Sequence, residues 1–591
     1  MTATAPAPRW NTESLFPSLG SPEFQAAFAE VLGGVGELQA TFDALDIRKG
    51  GRQPDLAAAF ERVTGEMNLL YERLRTVGAY IQAFVTTDSA NDLAQARQSE
   101  LGTRTAALGQ LNTRFEAWIG GLDLEALLAQ SETARRLEYV LRKDAAHAEH
   151  QMPAGEEELA NLLRLSGAGA WAKLHGNLTS ALTVPWRGET LPMTAVRNLS
   201  GDPDPAVREE AYRAELAAWQ GVEVPLAAAM NGIKGEVNTL NARRGWPDAV
   251  APTLLSGSID AETLEAMQRA VTASFPDFRR YFRAKGRLLG HAGALPWWDL
   301  FAPTGHSDTR WTWGEAQRFV EGQFRAYSPR LGDLAARAFR EGWIDAPPRP
   351  GKRGGAFCMG VRPGESRILM NFDENLDSVS TLAHELGHAY HNLCLQSRPP
   401  LERGYPMTLA ETASIFCETL TVGAALEQAE GAEKLSILET QLIGHAQVVV
   451  DIHSRFLFER AVFEKRAERD LSPRELSELM LWAQRETYGD GLTDDLHPYM
   501  WAVKPHYYGS SFYNYPYTFG LLFGLGLYAR YQQDPEGFRA GYDDLLADAG
   551  LYDAATLAAR FGIDTRDEGF WTGSLDVIRG HITDYEALAQ G

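Results

Sequence analysis

The sequence predicts a mainly α-helical protein with one small β-sheet. Three observations carry that reading. Apolar residues recur at helical spacing over most of the 591-residue chain. Serine, aspartate and proline stand where helices would begin. The clearest strand-like segments of the second half lie within residues 356–372, directly before a histidine-rich helix.

Taken in order, Ser21, Pro22 and Glu23 offer an N-cap, a proline at the first helical position and a first-turn acid. Phe24, Phe28, Val31, Leu32 and Val35 then share a helical face. The pattern predicts a helix ending towards Asp46, and further helices over about 55–87, 91–118 and 122–141, as in antiparallel hairpins. Val184-Pro185-Trp186-Arg187-Gly188 interrupts it, flanked by short alternating segments that suit strands. Asp202 to Pro205 opens a helical stretch to about Asn241. A boundary near residue 200 follows, giving a helical N-terminal domain, 1–200, and a second domain, 201–591. More helix is expected over 260–289, 313–327 and 329–340. Residues 347–355 must be loop. Residues 356–361 and 367–372 read as strands joined through Arg362-Pro363-Gly364-Glu365. Helix dominates again from Asp377 to the end, and no fixed-period repeat is visible.

Composition narrows the function. Apolar residues make up 45% and charged residues 23%, so most of the chain can fold around a core. Lys and Arg number 56 and Asp and Glu 78, a net charge of −22. That balance disfavours nucleic acid and anionic membranes as partners. Cys358, Cys394 and Cys417 form no CxxC and no even set, which suits a reducing compartment and small buried thiols. The N-terminus lacks a signal-like apolar stretch, and no uninterrupted apolar run reaches ~18 residues. A cytoplasmic protein is expected.

The chemistry concentrates in Thr381-Leu-Ala-His384-Glu385-Leu-Gly-His388-Ala-Tyr-His391, an HEXXH segment. Two histidines four apart differ by about 40° around a helix, so both rings can share one metal ion. Glu385 between them is placed to take a proton from a metal-activated water. Asp377 and Ser378 can cap the helix, and Val379, Leu382, Leu386 and Leu393 give an apolar stripe opposite the histidines.

A catalytic zinc needs a third protein ligand. His391 lies about 10 Å along the axis from His384, too far, and suits a neighbouring polar role. The extended HEXXHxxGxxH pattern fails, because His391 and Cys394 occupy its glycine and histidine positions. A glutamate on a following helix remains: Glu411 is the leading choice and Glu402 an alternative in the intervening loop. Glu411, Ser414 and Glu418 share one helical face, which suits Glu411 on zinc and Glu418 orienting a histidine N–H.

A second constellation lies in Pro505-His506-Tyr507-Tyr508-Gly509-Ser510-Ser511-Phe512-Tyr513-Asn514-Tyr515-Pro516-Tyr517. Phenol and imidazole donors suit an oxyanion at a tetrahedral centre, while buried tyrosines also serve as packing.

These pieces together resemble the thimet-oligopeptidase superfamily of zinc metallopeptidases, and specifically its oligoendopeptidase F branch. The matching segments are Gly351-Lys-Arg-Gly-Gly-Ala356, Met370-Asn-Phe372, His384 to His388 with His391, Ala410-Glu-Thr-Ala-Ser414 with Glu418, and Pro505-His-Tyr with Phe512-Tyr513. Trp10-Asn11 through Leu15-Phe16-Pro17 match more loosely. The resemblance implies a mostly helical gluzincin fold whose two halves flank a deep substrate channel, with one Zn2+ per chain. It implies cleavage of internal bonds in short unstructured peptides by attack of zinc-bound water. His384, His388 and Glu411 would be the ligands and Glu385 the general base and acid. His506 and Tyr513 would polarise the scissile carbonyl, with Tyr515 and Tyr517 as further candidates. The segment Ala356–Gly360, with Gly355 before it, would be a strand edge to which a peptide adds. The rivals are a metallocarboxypeptidase or dipeptidase, and a peptide-binding protein without catalysis. The sequence leaves the oligomeric state open.

Overall fold

The computed structural model describes residues 7–305, 309–509 and 511–590. Helices dominate, and the described strands form only two small sheets. In chain order these strands are β1 (Thr183–Trp186), β2 (Glu189–Pro192), β3 (Ile344–Asp345), β4 (Phe357–Arg362) and β5 (Glu365–Leu369). The chain divides into two compact units, each assembled from three stretches. The first takes Met1–Glu149, Thr309–Glu427 and Arg530–Ile563, and the second His150–Asp308, Gln428–Ala529 and Asp564–Gly591. Residue 200, where the sequence places a boundary, lies inside the second unit, and residues 201–591 contribute to both.

The first unit opens with α1 (Pro22–Ala44), capped by the Ser21 hydroxyl accepting from the Phe24 N–H, and α2 (Leu56–Thr87), capped by Asp55. Phe24, Phe28, Val31 and Val35 are buried against Phe60, Val63 and Tyr80 in one apolar core. The helix expected over 91–118 is two, Asp92–Thr105 and Ala107–Ile119. The one over 122–141 is three, Leu124–Gln130, Glu132–Arg136 and Glu138–Glu149. Ser131 makes the first of these breaks: its hydroxyl accepts from the Ala134 N–H, starting a new helix.

The sheet of this unit has the order β3-β5-β4. β4 and β5 form the expected antiparallel hairpin, from Phe357 opposite Leu369 to Arg362 opposite Glu365. β3 adds parallel to β5, a two-residue pairing the sequence does not signal. β4 is therefore one of the two edge strands, with β3 at the other edge. α2 reaches the far end of β4, where Arg75 Nε donates to the Gly360 carbonyl (3.1 Å) and Thr76 Oγ1 to the Val361 carbonyl (2.8 Å).

In the second unit the 202–241 stretch is Pro205–Gln220 and Glu223–Arg243, parted at Gly221-Val222. Ala261–Leu288 runs as one helix although Pro276 lies inside it. β1 and β2 form a hairpin around Arg187 (φ 47°) and Gly188 (φ 89°), two positive φ values in the manner of a type I′ turn. Leu226, Met230, Ile233, Phe458, Val462 and Trp501 anchor this unit's core.

Among the described residues, one helical stretch, Met407–Gln428, is long and apolar enough by mean hydropathy to cross a bilayer. Threonines, a serine and three glutamates interrupt it, so it forms no unbroken apolar run. Half of its most apolar window is buried within the structure, as in the core helix of a folded unit.

Candidate functional site

The HEXXH helix spans Leu376–Cys394. Its cap is Asn375, whose side-chain oxygen accepts from the Ser378 N–H at 2.9 Å, rather than Asp377 or Ser378. Asp377 lies in the first turn, and the Ser378 hydroxyl accepts from the Asp373 N–H at 3.0 Å. Val379, Leu382 and Leu386 are fully buried, which fixes the roll of the helix. His384 and His388 are half-buried, with ring centroids 5.0 Å apart.

Glu411 stands at the joint between the short helix Met407–Ala410 and the helix Thr412–Gln428, rather than within one continuous helix. From there its Oε2 lies 3.3 Å from His384 Nε2 and 3.3 Å from His388 Nε2. The Ser414 hydroxyl donates to the same oxygen at 2.6 Å. Gly387 permits this meeting. A Cβ there would stand 2.6 Å from both the Ala413 carbonyl oxygen and Ser414 Cα, so the two helices touch backbone to backbone.

Glu418 lies on the far side of His384, accepting from Nδ1 at 3.0 Å and from the Ser380 hydroxyl at 3.1 Å. This contact protonates Nδ1 and turns the Nε2 lone pair towards Glu411 and His388. Burial opposes charge on His384, but Glu411 and Glu418 outweigh it and lift its pKa well above the ordinary value. Burial likewise raises Glu411, yet His384 and His388 pull it far below the carboxylate range. The pocket thus favours a positive charge held between two imidazoles and a carboxylate.

The donors suit a divalent cation, zinc above all: two imidazole nitrogens and one carboxylate oxygen, all within 4.8 Å of one another. Among the described residues no other His/Cys/Asp/Glu group meets that criterion. Glu385 is 5% exposed, and its Oε2 is buried without a hydrogen-bond partner. Burial raises its pKa although both histidines oppose the shift. A buried carboxylate oxygen without a partner, close to three converging ligand atoms, has the chemistry of a proton acceptor.

The other candidates nearby separate clearly. Glu402 is 1% exposed and held by Arg136 and Arg398, so it serves a structural ion-pair cluster and is removed as an alternative ligand. His391 is fully buried, stacked on Tyr405 with centroids 4.2 Å apart, its Nε2 3.1 Å from the Leu546 carbonyl oxygen. Burial first, then His388, hold its pKa down at about 3, so it stays neutral. Gly355 (φ 78°) and Ala356 precede β4 rather than belong to it. The Gly355 carbonyl accepts from Asn371 Nδ2 at 3.0 Å, which ties the loop before β4 to the segment just after β5. Phe357 to Gly360 of β4 are half-exposed. The three cysteines are unpaired thiols, each with its pKa pushed up chiefly by burial.

The second constellation belongs to the second unit. His506 starts the four-residue helix His506–Gly509, and Tyr517 sits in the first turns of Tyr515–Gln533. The His506 and Tyr513 rings stack at 5.3 Å and 11°. The Tyr517 hydroxyl lies 3.4 Å from His506 Nε2 and 3.5 Å from the Tyr513 hydroxyl. All three are half-buried. Tyr515 is fully buried with its hydroxyl 3.1 Å from Thr253 Oγ1, and Tyr507 and Tyr508 are core. Burial, then Arg455 and Lys504, lower the pKa of His506 and keep the ring neutral. Sequence reasoning passed over Ser380, one helical turn before His384, whose place on the same face was a readable signal.

Comparison with known proteins places these features in a family. The profile of peptidase family M3 matches residues 198–576, more than half of the chain. The group B oligopeptidase PepB of Streptococcus agalactiae serotype III (strain NEM316) is 24% identical over 564 residues, covering 92% of this chain and 93% of its own. An oligoendopeptidase F homolog of Lactococcus lactis subsp. lactis (strain IL1403) is 22% identical over 450 residues, covering 75% of this chain and 70% of its own. The crystal structure of oligoendopeptidase-F from Enterococcus faecium shares the fold at a TM-score of 0.70 and 18% identity, over 96% of this chain and 99% of that one. This protein belongs to peptidase family M3, where its relatives include oligoendopeptidase F homologues.

Proposed function

We propose that this peptidase is a zinc-dependent endopeptidase that cuts internal bonds of short, unstructured peptides. The observation that carries the reading is the convergence of His384, His388 and Glu411 beside the buried Glu385, whose Oε2 has no hydrogen-bond partner. Zn2+ held by those three ligands supplies Lewis acidity that activates water and polarises a carbonyl. Glu385 takes a proton from the attacking water as the new C–O bond forms. It then delivers the proton to the amine nitrogen as the C–N bond breaks. Glu418 and Ser414 hold His384 and Glu411 in orientation. The neutral His506 and the Tyr513 and Tyr517 hydroxyls donate to the carbonyl oxygen as negative charge develops on it.

The half-exposed edge of β4 supports binding of an extended chain by main-chain hydrogen bonds, which select for backbone rather than side chain. The names of the relatives, oligopeptidase and oligoendopeptidase, agree with peptide substrates. A cytoplasmic location fits the three unpaired thiols.

The test is an internally quenched peptide of about ten residues with both ends blocked, given to the wild type and to Glu385→Gln. Internal cleavage by the wild type, lost in a variant that keeps its metal, is the expected result. Cleavage only when an end is freed would make the enzyme an exopeptidase. No cleavage of either form would leave a peptide-binding protein.

A further inference from the structure

Beneath the His506–Tyr513–Tyr517 cluster lies an ion pair that the proposed chemistry does not use. Lys234, from the helix Glu223–Arg243, and Glu459, from the helix Ile452–Arg466, are both 0% exposed. Lys234 Nζ stands 2.6 Å from Glu459 Oε1. Burial drives the pKa of Lys234 down and that of Glu459 up, the direction in which desolvation opposes both charges. A pair so deeply buried is weak support for stability, because apolar residues of like volume often serve as well or better.

What the pair does hold is backbone. Lys234 Nζ donates to the Ser511 carbonyl at 2.8 Å. Glu459 accepts from the Tyr513 backbone N–H and, through Oε2, from Asn514 Nδ2 at 3.2 Å. Asn514 is itself fully buried. Phe512, between these anchors, packs on Phe456 and Phe463. Each of the four residues 511–514 is thus tied down by main chain or side chain, while the Tyr513 ring is left half-exposed against His506.

We propose that the buried Lys234–Glu459 pair is a positioning device: it clamps the 511–514 backbone so that the Tyr513 phenol is presented beside His506 and Tyr517. The inference rests on the reading of Tyr513 as a donor to the scissile carbonyl. Lys234, Glu459 and Asn514 touch no substrate in this scheme and act only through Tyr513 and its partners.

The test is a double-mutant cycle on the full-length zinc enzyme. One arm replaces the pair by apolar residues (Lys234→Met with Glu459→Leu), the other is Tyr513→Phe, and the fourth corner combines them. Tyr513→Phe alone should lower kcat at least tenfold. The pair replacement should lower kcat about 10- to 100-fold with KM within about threefold and zinc content unchanged. In the Tyr513→Phe background the same replacement should lower kcat less than about threefold. An equal loss in both backgrounds would mean a general structural role and overturn the proposal, as would no loss from the pair replacement. If the pair variant does not fold, Asn514→Ala takes its place in the cycle, with a smaller expected loss and the same two readings. Tyr513→Phe without effect on kcat would overturn the donor role of Tyr513 and this inference together. A loss from Tyr513→Phe with none from the pair would overturn the clamp alone.

Discussion

The metal constellation and the tyrosine–histidine cluster hold polar groups by opposite means. His384 and His388 ride on a single nineteen-residue helix, and Glu411 joins them through a backbone-to-backbone helix contact at Gly387. Their supporting contacts, Ser414 on Glu411 and Ser380 with Glu418 beside His384, come from the same two helices. His506, Tyr513 and Tyr517 come from a four-residue helix, a short connection and a helix start, and meet only at 3.4 and 3.5 Å. Their frame is set by charges on two other helices, at Lys234 and Glu459. Rigid regular elements position a site from within. An irregular segment must be positioned from outside, and the energy for that is stored in a buried polar network.

The contrast predicts a graded set of losses. Removing a ligand from the rigid site should do the most: Glu411→Gln should lose zinc measurably and lower kcat/KM by about 10³ or more, with added Zn2+ restoring only part. Retention of full metal by this variant would break the comparison, because the helix contact would then not be what completes the site. Next, Tyr513→Phe should lower kcat by about 10- to 100-fold with metal content unchanged, in the range of one lost oxyanion donor. Tyr515→Phe, whose hydroxyl is bound to Thr253, should change kcat less than about twofold. Equal effects at the two tyrosines would mean that the connection does not present one phenol over the other.

Weaker still, Glu418→Gln keeps the shape but loses the charge on His384 Nδ1, and should loosen zinc by about 10- to 100-fold in a competition titration. The smallest effect concerns stability rather than chemistry. His453 in the second unit is 7% exposed, with its Nδ1 2.6 Å from Gln268 Oε1; burial lowers its pKa to about 4. The folded form therefore binds this proton less readily than the unfolded chain. Its contribution is full above about pH 6.5 and is lost as pH falls through about 4. Between pH 7 and 4.5 the loss from this group is on the order of 2 kcal/mol, read as the difference in urea unfolding between wild type and His453→Gln. An identical acid sensitivity in the variant would shift that loss to other groups.

Legibility in the sequence followed the same division. The two histidines, Glu385 and Glu411 could be read because four-residue spacing and a nearby second helix are local patterns. Glu411 was the leading choice from the sequence; what removes the alternative Glu402 is Arg136 and Arg398, which sequence spacing does not bring to it. The region 505–517 was conspicuous by residue type, but which tyrosines pack and which stay open depended on Thr253 and on the cores of distant helices. Lys234 and Glu459 read as ordinary helix charges, 225 positions apart, and nothing local marks them as buried. Long helices were found with good bounds where caps were present, as at Ser21 and Asp55, and were merged where a single serine restarted the helix, as at Ser131. A cut near residue 200 assumed consecutive domains, whereas the compact units interleave and no composition shift marks their crossings.

Gly387 has a consequence for how far this site tolerates change. The side chain missing at Gly387 is an imprint of a neighbour: the Ala413–Ser414 backbone is pressed against the helix where a methyl group would stand. An alanine would force the partner helix outward by a substantial fraction of an ångström or more, and the carboxylate at its start would retreat with it. The fourth letter of the pentapeptide therefore works as a postal address. In this chain it marks where the helix that follows Glu411 docks backbone to backbone on the HEXXH helix.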